Sequence, residues 1–226
     1  MPFTDRIEAG RRLAKALAGY KDKKPIVLAL PRGGVPVAAE IAVVLDAPLD
    51  LILVRKIGVP YQPELAMGAV VDGGDPVTVR NEDVISLAGV SEQDFAAVRD
   101  EQLKEIERRR QAYLGDRARP TLAGRTVIVV DDGIATGATT RAALQAVRAR
   151  KPTKLVLAVP VAPTDTLKKL RGEADEIVCL EDYELFGAIG LFYSDFRQVS
   201  DAEVVDLLAR HPVKNPASDG DPDGKT

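Results

Sequence analysis

Two adjacent carboxylates, Asp131 and Asp132, close a β-branched apolar run from Thr126 to Val130, and Gly133, Ile134, Ala135, Thr136, Gly137, Ala138 and Thr139 follow them. Small residues where a helix opens let unpaired backbone N–H groups approach an anion, and the helix dipole adds a favourable field. Residues 135 to 139 therefore suit a phosphate monoester, with Thr136 and Thr139 as added hydroxyl donors. Carboxylates at a strand's carboxyl end beside such a cradle can accept hydrogen bonds from vicinal hydroxyls or hold a hydrated Mg²⁺. Phosphate cradle and paired acids together describe a sugar phosphate.

Three other stretches carry chemistry. Pro31-Arg32-Gly33-Gly34 ends the first apolar run; the glycines permit close backbone approach, and Arg32 offers a planar fork suited to phosphate oxygens. Arg55 and Lys56, after a second apolar run, could neutralise a departing anion. The stretch Leu185 to Val199 is dense in aromatics for a chain with only 4% of them, so Phe186, Ile189 or Tyr193 could flank a planar base or pack the last helix onto a sheet.

Positioning these groups requires strands and helices in alternation. A capping-box-like start at Asp5 and Glu8, with Ile7, Gly10, Leu13 and Leu17 at helical spacing, predicts a helix over 5–19. Strands are expected at 26–30 and 51–54, the second ending in Arg55-Lys56, with a helix over 35–45 between them. Strand, helix, strand at this length is a βαβ unit with parallel strands. Residues 57–120 read as an irregular flap holding the Gly73-Gly74 pair, a short strand at 77–80 and a charged helix from Ser91 on which Arg108, Arg109 and Arg110 look solvated. A helix to about Arg150, strands at 154–160 and 176–180, a short helix near 166–170 and a capped helix from Ser200 with Glu203 complete the pattern. The expected architecture is α/β: a parallel sheet flanked by helices over residues 1–212, a flap over about 57–120, a small hood over about 181–200, and a polar tail over 213–226 read as disordered.

Composition limits the function. With 226 residues, 46% hydrophobic and 29% charged, the chain suits one domain with an inserted flap. A net charge of −3 and a pI near 5.4 argue against non-specific nucleic-acid binding. The N-terminal segment is charged where a signal peptide needs an apolar core, and no apolar stretch suits a membrane span, so a cytoplasmic location is expected. Cys179 is the single cysteine and reads as a buried small hydrophobe, and His211 as a helix-end residue. Neither a G-x-x-x-x-G-K-[ST] loop nor a G-x-G-x-x-G after the first strand is present, which argues against a P-loop NTPase and a Rossmann dehydrogenase.

DDGIATGAT resembles the phosphoribosyl-pyrophosphate (PRPP) motif of the type I phosphoribosyltransferases, a hydrophobic strand followed by DD-x-x-x-TG-x-T. PRGGVPVAAEIA, VRKIGVPYQPELAMGA and GLFYSDFRQV look like a bacterial branch of that superfamily. The resemblance implies a Rossmann-like type I fold with a flexible flap and a hood, PRPP and a small nitrogenous acceptor as substrates, and Mg²⁺ as cofactor. It implies catalytic or ribose-binding roles for Asp131 and Asp132, with a water-mediated hold on the metal. Ala135, Thr136, Gly137, Ala138 and Thr139 would take the 5′-phosphate. Arg32, Gly33 and Gly34 would form the pyrophosphate loop, with Arg55 and Lys56 neutralising the leaving pyrophosphate. Tyr61 and Glu64 would close the flap over the site, and Phe186, Ile189 and Tyr193 would contact the base. Homodimers are common in the family. Ala135 stands where hypoxanthine-type enzymes carry an aspartate, which leaves the general base and the acceptor unassigned. The alternative is a module of the same fold that senses PRPP or a nucleotide without catalysis.

Overall fold

The structure is a computed structural model describing residues 2–73 and 76–212. Helix α1, Arg6–Ala16, starts on the Asp5 side chain, which accepts from the Glu8 N–H, and continues through a 3-10 turn over Ala18–Lys23. Strand β1, Ile26–Ala29, leads into α2, Gly34–Leu45, and then β2, Leu49–Leu51. Strands β3, Val54–Val59, β4, Gln62–Val71, and β5, Val77–Arg80, follow. Helices α3, Glu82–Ala88, and α4, Glu92–Leu114, complete the middle of the chain. The second half alternates β6, Thr126–Val130, α5, Ala138–Ala149, β7, Lys154–Pro163, α6, Thr164–Leu170, and β8, Glu176–Tyr183, before α7, Asp201–Ala209. The Ser200 and Glu203 capping box forms as expected.

Five strands make one parallel sheet in the order β2-β1-β6-β7-β8. Strands β1, β6 and β7 are apolar and buried through their centres, as a two-sided parallel sheet demands. Residues of α1, α2 and α7 build the core on one face, and residues of α5 build it on the other. From β1 the chain turns outward to β2, and from β6 it turns the opposite way to β7. The crevice beyond the carboxyl ends of β1 and β6 is therefore the topological switch point, where open α/β sheets bind ligands. Among the described residues no helix is long and apolar enough to cross a membrane.

The middle of the chain is more ordered than its sequence implies. Strands β3, β4 and β5 form an antiparallel sheet with a register shift around Gly58, and α4 packs against it. Arg55 and Lys56 consequently lie inside β3, not at the tip of β2, which ends at Leu51. The flap is a twisted hairpin because Val54, Ile57 and Val59 can pair across to Val71, Gly68 and Gln62. Arg110 is also corrected: it is buried and its Nη1 donates to Asp72 Oδ2 at 3.3 Å, whereas Arg108 and Arg109 pair with Glu105 at the surface. Strands β7 and β8 run three residues beyond their expected ends, because Val161 and Ala162 stay paired with Glu181 and Asp182. Cys179 is half-buried, and burial pushes its thiol up to about 11. The His211 N–H closes the end of α7 on the Leu208 carbonyl at 3.0 Å. Gly74 and the tail over 213–226 lie outside the described residues.

Candidate functional site

Strand β6 delivers Asp131 and Asp132 to the switch point, and β1 delivers Arg32, Gly33 and Gly34 to the same place. The Leu30 N–H donates to the Val130 carbonyl at 2.9 Å, so the two strand ends are bonded together just before the loops diverge. A β-carbon on Gly33 would lie 2.0 Å from Asp132 Oδ2, and one on Gly34 would lie 2.8 Å from the Val130 carbonyl. Only glycine lets the PRGG backbone rest against the acidic pair. The Pro31-Arg32 peptide is cis. Arg32 reaches across to the start of α7, where its Nη1 lies 3.4 Å from Asp201 Oδ1, an oxygen that also accepts from the Tyr113 hydroxyl at 2.8 Å.

The acidic pair is electrostatically uneven. Asp132 is buried, and its Oδ2 accepts from Arg6 Nε at 2.7 Å. The Asp132 N–H donates to Asp131 Oδ1 at 2.9 Å. Burial, then the neighbouring Asp132 charge, pushes the Asp131 carboxyl well above the usual carboxylate range. One carboxylate is paired with a guanidinium, while burial favours the proton on its neighbour Asp131.

Beyond the acids the loop is held from beneath and left open above. The Ile134 N–H donates to the Val161 carbonyl at 3.0 Å, and the Thr166 hydroxyl donates to the Ala135 carbonyl at 3.0 Å. Gly137 adopts φ +79, a left-handed conformation natural to glycine, and a β-carbon there would meet Thr166 Cγ2 at 2.7 Å. Ala135, Thr136, Ala138 and Thr139 are exposed. Among the described residues nothing accepts from the N–H groups of residues 135 to 140. This is a row of free donors at the start of a twelve-residue helix, the arrangement that attracts phosphate.

The other expected site residues separate into groups. Arg55 Nε donates to Gln102 on α4 at 3.0 Å, and Lys56 pairs with Glu64 at 3.1 Å, so their polar partners lie on the hairpin and α4 rather than on the acidic loop. Tyr61 is exposed at the hairpin tip and its hydroxyl donates to the Ala88 carbonyl. Ile189 covers the acidic loop, since a β-carbon on Gly133 would lie 2.6 Å from its Cγ2. Phe186 is half-buried and stacks on Phe192, which stacks on Tyr183, both at 4.8 Å between ring centres. Tyr193 is 2% exposed, and its hydroxyl donates to the Asp132 carbonyl at 2.6 Å.

Arg6 is the group that sequence reasoning missed. It occupies the first position of α1, where the helix dipole disfavours a cation, and that misfit was the available signal. Tertiary structure explains it: besides Asp132, Arg6 donates from Nη1 to the Arg197 carbonyl at 2.9 Å and lies 3.8 Å from the centre of the Phe196 ring.

A parallel sheet whose switch point joins a glycine-rich loop, paired acids and a helix-opening anion cradle is the type I phosphoribosyltransferase fold. The family model described as "Phosphoribosyl transferase domain" matches residues 4–197, and the chain belongs to that family. Two Mycobacterium tuberculosis proteins, from strains CDC 1551 / Oshkosh and H37Rv, are 50% identical over 208 residues and bear names that assign them provisionally as phosphoribosyl transferases. The match covers 92% of this chain and 46% of each relative, so the chain spans about half the length of these curated proteins. The crystal structure of TT1426 from Thermus thermophilus is 41% identical, with a TM-score of 0.77, over 94% of this chain and all of that one.

Proposed function

We propose that the chain transfers the 5-phosphoribosyl group from PRPP to a nitrogenous acceptor, a nucleobase or a related compound, and releases pyrophosphate. One observation carries this reading: Gly33-Gly34 packs against Asp131-Asp132 beside the open amides of residues 135 to 140, a combination whose chemistry suits pyrophosphate, ribose hydroxyls and a 5′-phosphate.

In this reading residues 135–139 hold the 5′-phosphate, with Thr136 and Thr139 adding hydroxyl donors. The Gly33-Gly34 backbone and Arg32 bind pyrophosphate. Departure of pyrophosphate leaves positive charge growing on the ribose, and carboxylates beneath the ring stabilise it. Arg6 pairs with Asp132 until the ribose arrives, and ionisation of Asp131 works against its burial. Arg55 and Lys56 contribute only after the hairpin moves, Lys56 by leaving Glu64. Tyr61 and Glu64, at the same hairpin, close over the substrate and exclude water. Phe186 and Ile189 flank the acceptor.

Mg²⁺ fits the donor set. Two carboxylates supply oxygen ligands, and Mg²⁺ characteristically uses one or two carboxylates with water and substrate phosphate oxygens. Asp131 and Asp132 would hold it through water, and when bound it would neutralise charge on the leaving pyrophosphate. A cytoplasmic location and a homodimer belong to the same reading, by analogy with the family.

The test is pyrophosphate release from PRPP with Mg²⁺ across a panel of nucleobases and small amines, with Asp131→Asn/Asp132→Asn as control. Release with one acceptor, lost in the control, is expected. Calorimetric PRPP binding without release under any acceptor would replace the transferase with a PRPP sensor, and absence of binding would overturn both.

A further inference from the structure

A second concavity lies at the other pole of the main sheet. Its cavity of about 760 Å³ is lined where β1 and β2 begin, by Pro25, Ile26 and Pro48, and where β6 begins, by Arg125. Five residues of strand β6 separate that end from Asp131, about 17 Å of extended chain. The cavity therefore shares no wall with the acidic loop.

Its charge runs against that of the molecule. Lys21, Lys24, Arg119, Arg125 and Arg210 line it, with Asp22 and Asp46 as its carboxylates, in a chain whose net charge is −3. Three of the guanidinium groups are already oriented by the fold. Arg119 Nη1 lies 3.4 Å from Asp72 Oδ2, Arg125 Nη2 donates to the Lys24 carbonyl at 2.8 Å, and Arg210 pairs with Asp206. Among the described residues the ammonium groups of Lys21 and Lys24 have no carboxylate or hydrogen-bond partner. The rest of the lining includes aliphatic surface from Val43, 62% exposed, and from Pro48, Pro120 and Pro212. A concave basic site with an apolar wall focuses field onto an anion and shelters a flat group beside it.

We propose that this cavity is a second binding site for a nucleoside di- or triphosphate, separate from the switch-point crevice. The cations from three chain segments take the phosphates, and the proline and valine wall takes the base. Because those segments flank the starts of β1, β2 and β6 and the end of α7, occupancy ties together elements whose other ends shape the acidic loop.

The experiment is calorimetric titration of the full chain with ATP, GTP and inorganic tripolyphosphate at low and physiological salt. Asp131→Asn/Asp132→Asn is the variant at the crevice, and Lys21→Glu and Lys24→Glu, singly and together, are the variants at the cavity. Nucleotide binding is expected to survive the crevice substitutions and to weaken about tenfold or more in the Lys21→Glu/Lys24→Glu protein, one lost ion pair of modest strength per site. Neither ammonium group has a partner among the described residues, so these proteins are expected to melt with the wild type. Binding abolished by the crevice substitutions and indifferent to the lysines would overturn the proposal. Nucleotides binding no tighter than tripolyphosphate would overturn it as well, by removing the role of the apolar wall.

Discussion

Arg6 Nε meets Asp132 Oδ2 at 2.7 Å, joining the first turn of α1 to the acidic loop 126 residues later. Both side chains are about nine-tenths buried, with exposures of 10% and 11%. Removing one member of such a pair leaves the other charged and desolvated. Arg6→Ala is expected to cost about 3 kcal/mol in urea denaturation. Arg6→Ala/Asp132→Asn should recover part of that loss, and an additive double variant would refute the coupling.

Asp131 sets a pH dependence. Its folded-state pKa lies above its unfolded value, so its contribution to stability is complete in acid and is lost as pH rises through the folded pKa. Asp131→Asn is therefore expected to melt higher than wild type at neutral pH, the two converging as pH falls. The same proton must leave when the carboxylate engages Mg²⁺ or ribose, so PRPP binding should release a proton, detected by calorimetry in buffers of different ionisation enthalpy. A melting difference that grows toward acid would contradict the assignment.

Gly33 and Gly19 form a controlled pair. A β-carbon on Gly33 would stand 2.0 Å from Asp132 Oδ2, whereas one on Gly19 would meet nothing within 4 Å. Gly33→Ala is expected to lose about 1–3 kcal/mol through overpacking and to bind PRPP at least about tenfold more weakly. Gly19→Ala should change stability by less than about 1 kcal/mol, favourably if at all, by restricting the unfolded chain. Equal PRPP affinity in the two would separate the PRGG loop from substrate.

Tyr193 and Phe186 divide stability from specificity. Tyr193→Phe removes a buried donor from the Asp132 carbonyl and is expected to cost about 1–2 kcal/mol without changing KM for the acceptor. Phe186→Ala should raise KM for the acceptor while PRPP binding stays constant. Steady-state kinetics and thermal melts on both variants separate the roles; a raised acceptor KM in Tyr193→Phe alone would reverse them.

Much of this was written locally. The apolar runs predicted β1, β6 and β7, because strands buried on both faces need unbroken hydrophobic sequence, and the start of β8, whereas β2, Leu49–Leu51, meets its expected span 51–54 only at Leu51. The cap at Asp5 and the capping box at Ser200 and Glu203 marked helix starts to the residue. The acidic pair, its small-residue loop and the PRGG turn were legible because their chemistry depends on adjacent residues and on backbone that only small side chains permit. Arg55 and Lys56 were misplaced because the turn-rich stretch after them gives no local sign that Val54 to Val59 would pair across to β4.

By itself, then, the sequence determined the fold class and the presence of a small-residue, helix-opening loop beside two carboxylates, since periodicity, caps and short motifs are local properties. Only the tertiary structure decided which groups face those carboxylates. Arg6, Tyr193 and Thr166 reach the loop from α1, from the segment after β8 and from α6, and no local pattern encodes such meetings. It also decided that Tyr193 supports the loop from within and that Arg110 is buried beside Asp72. Burial, and with it the upward push on the Asp131 carboxyl, exists only once those distant segments have packed together.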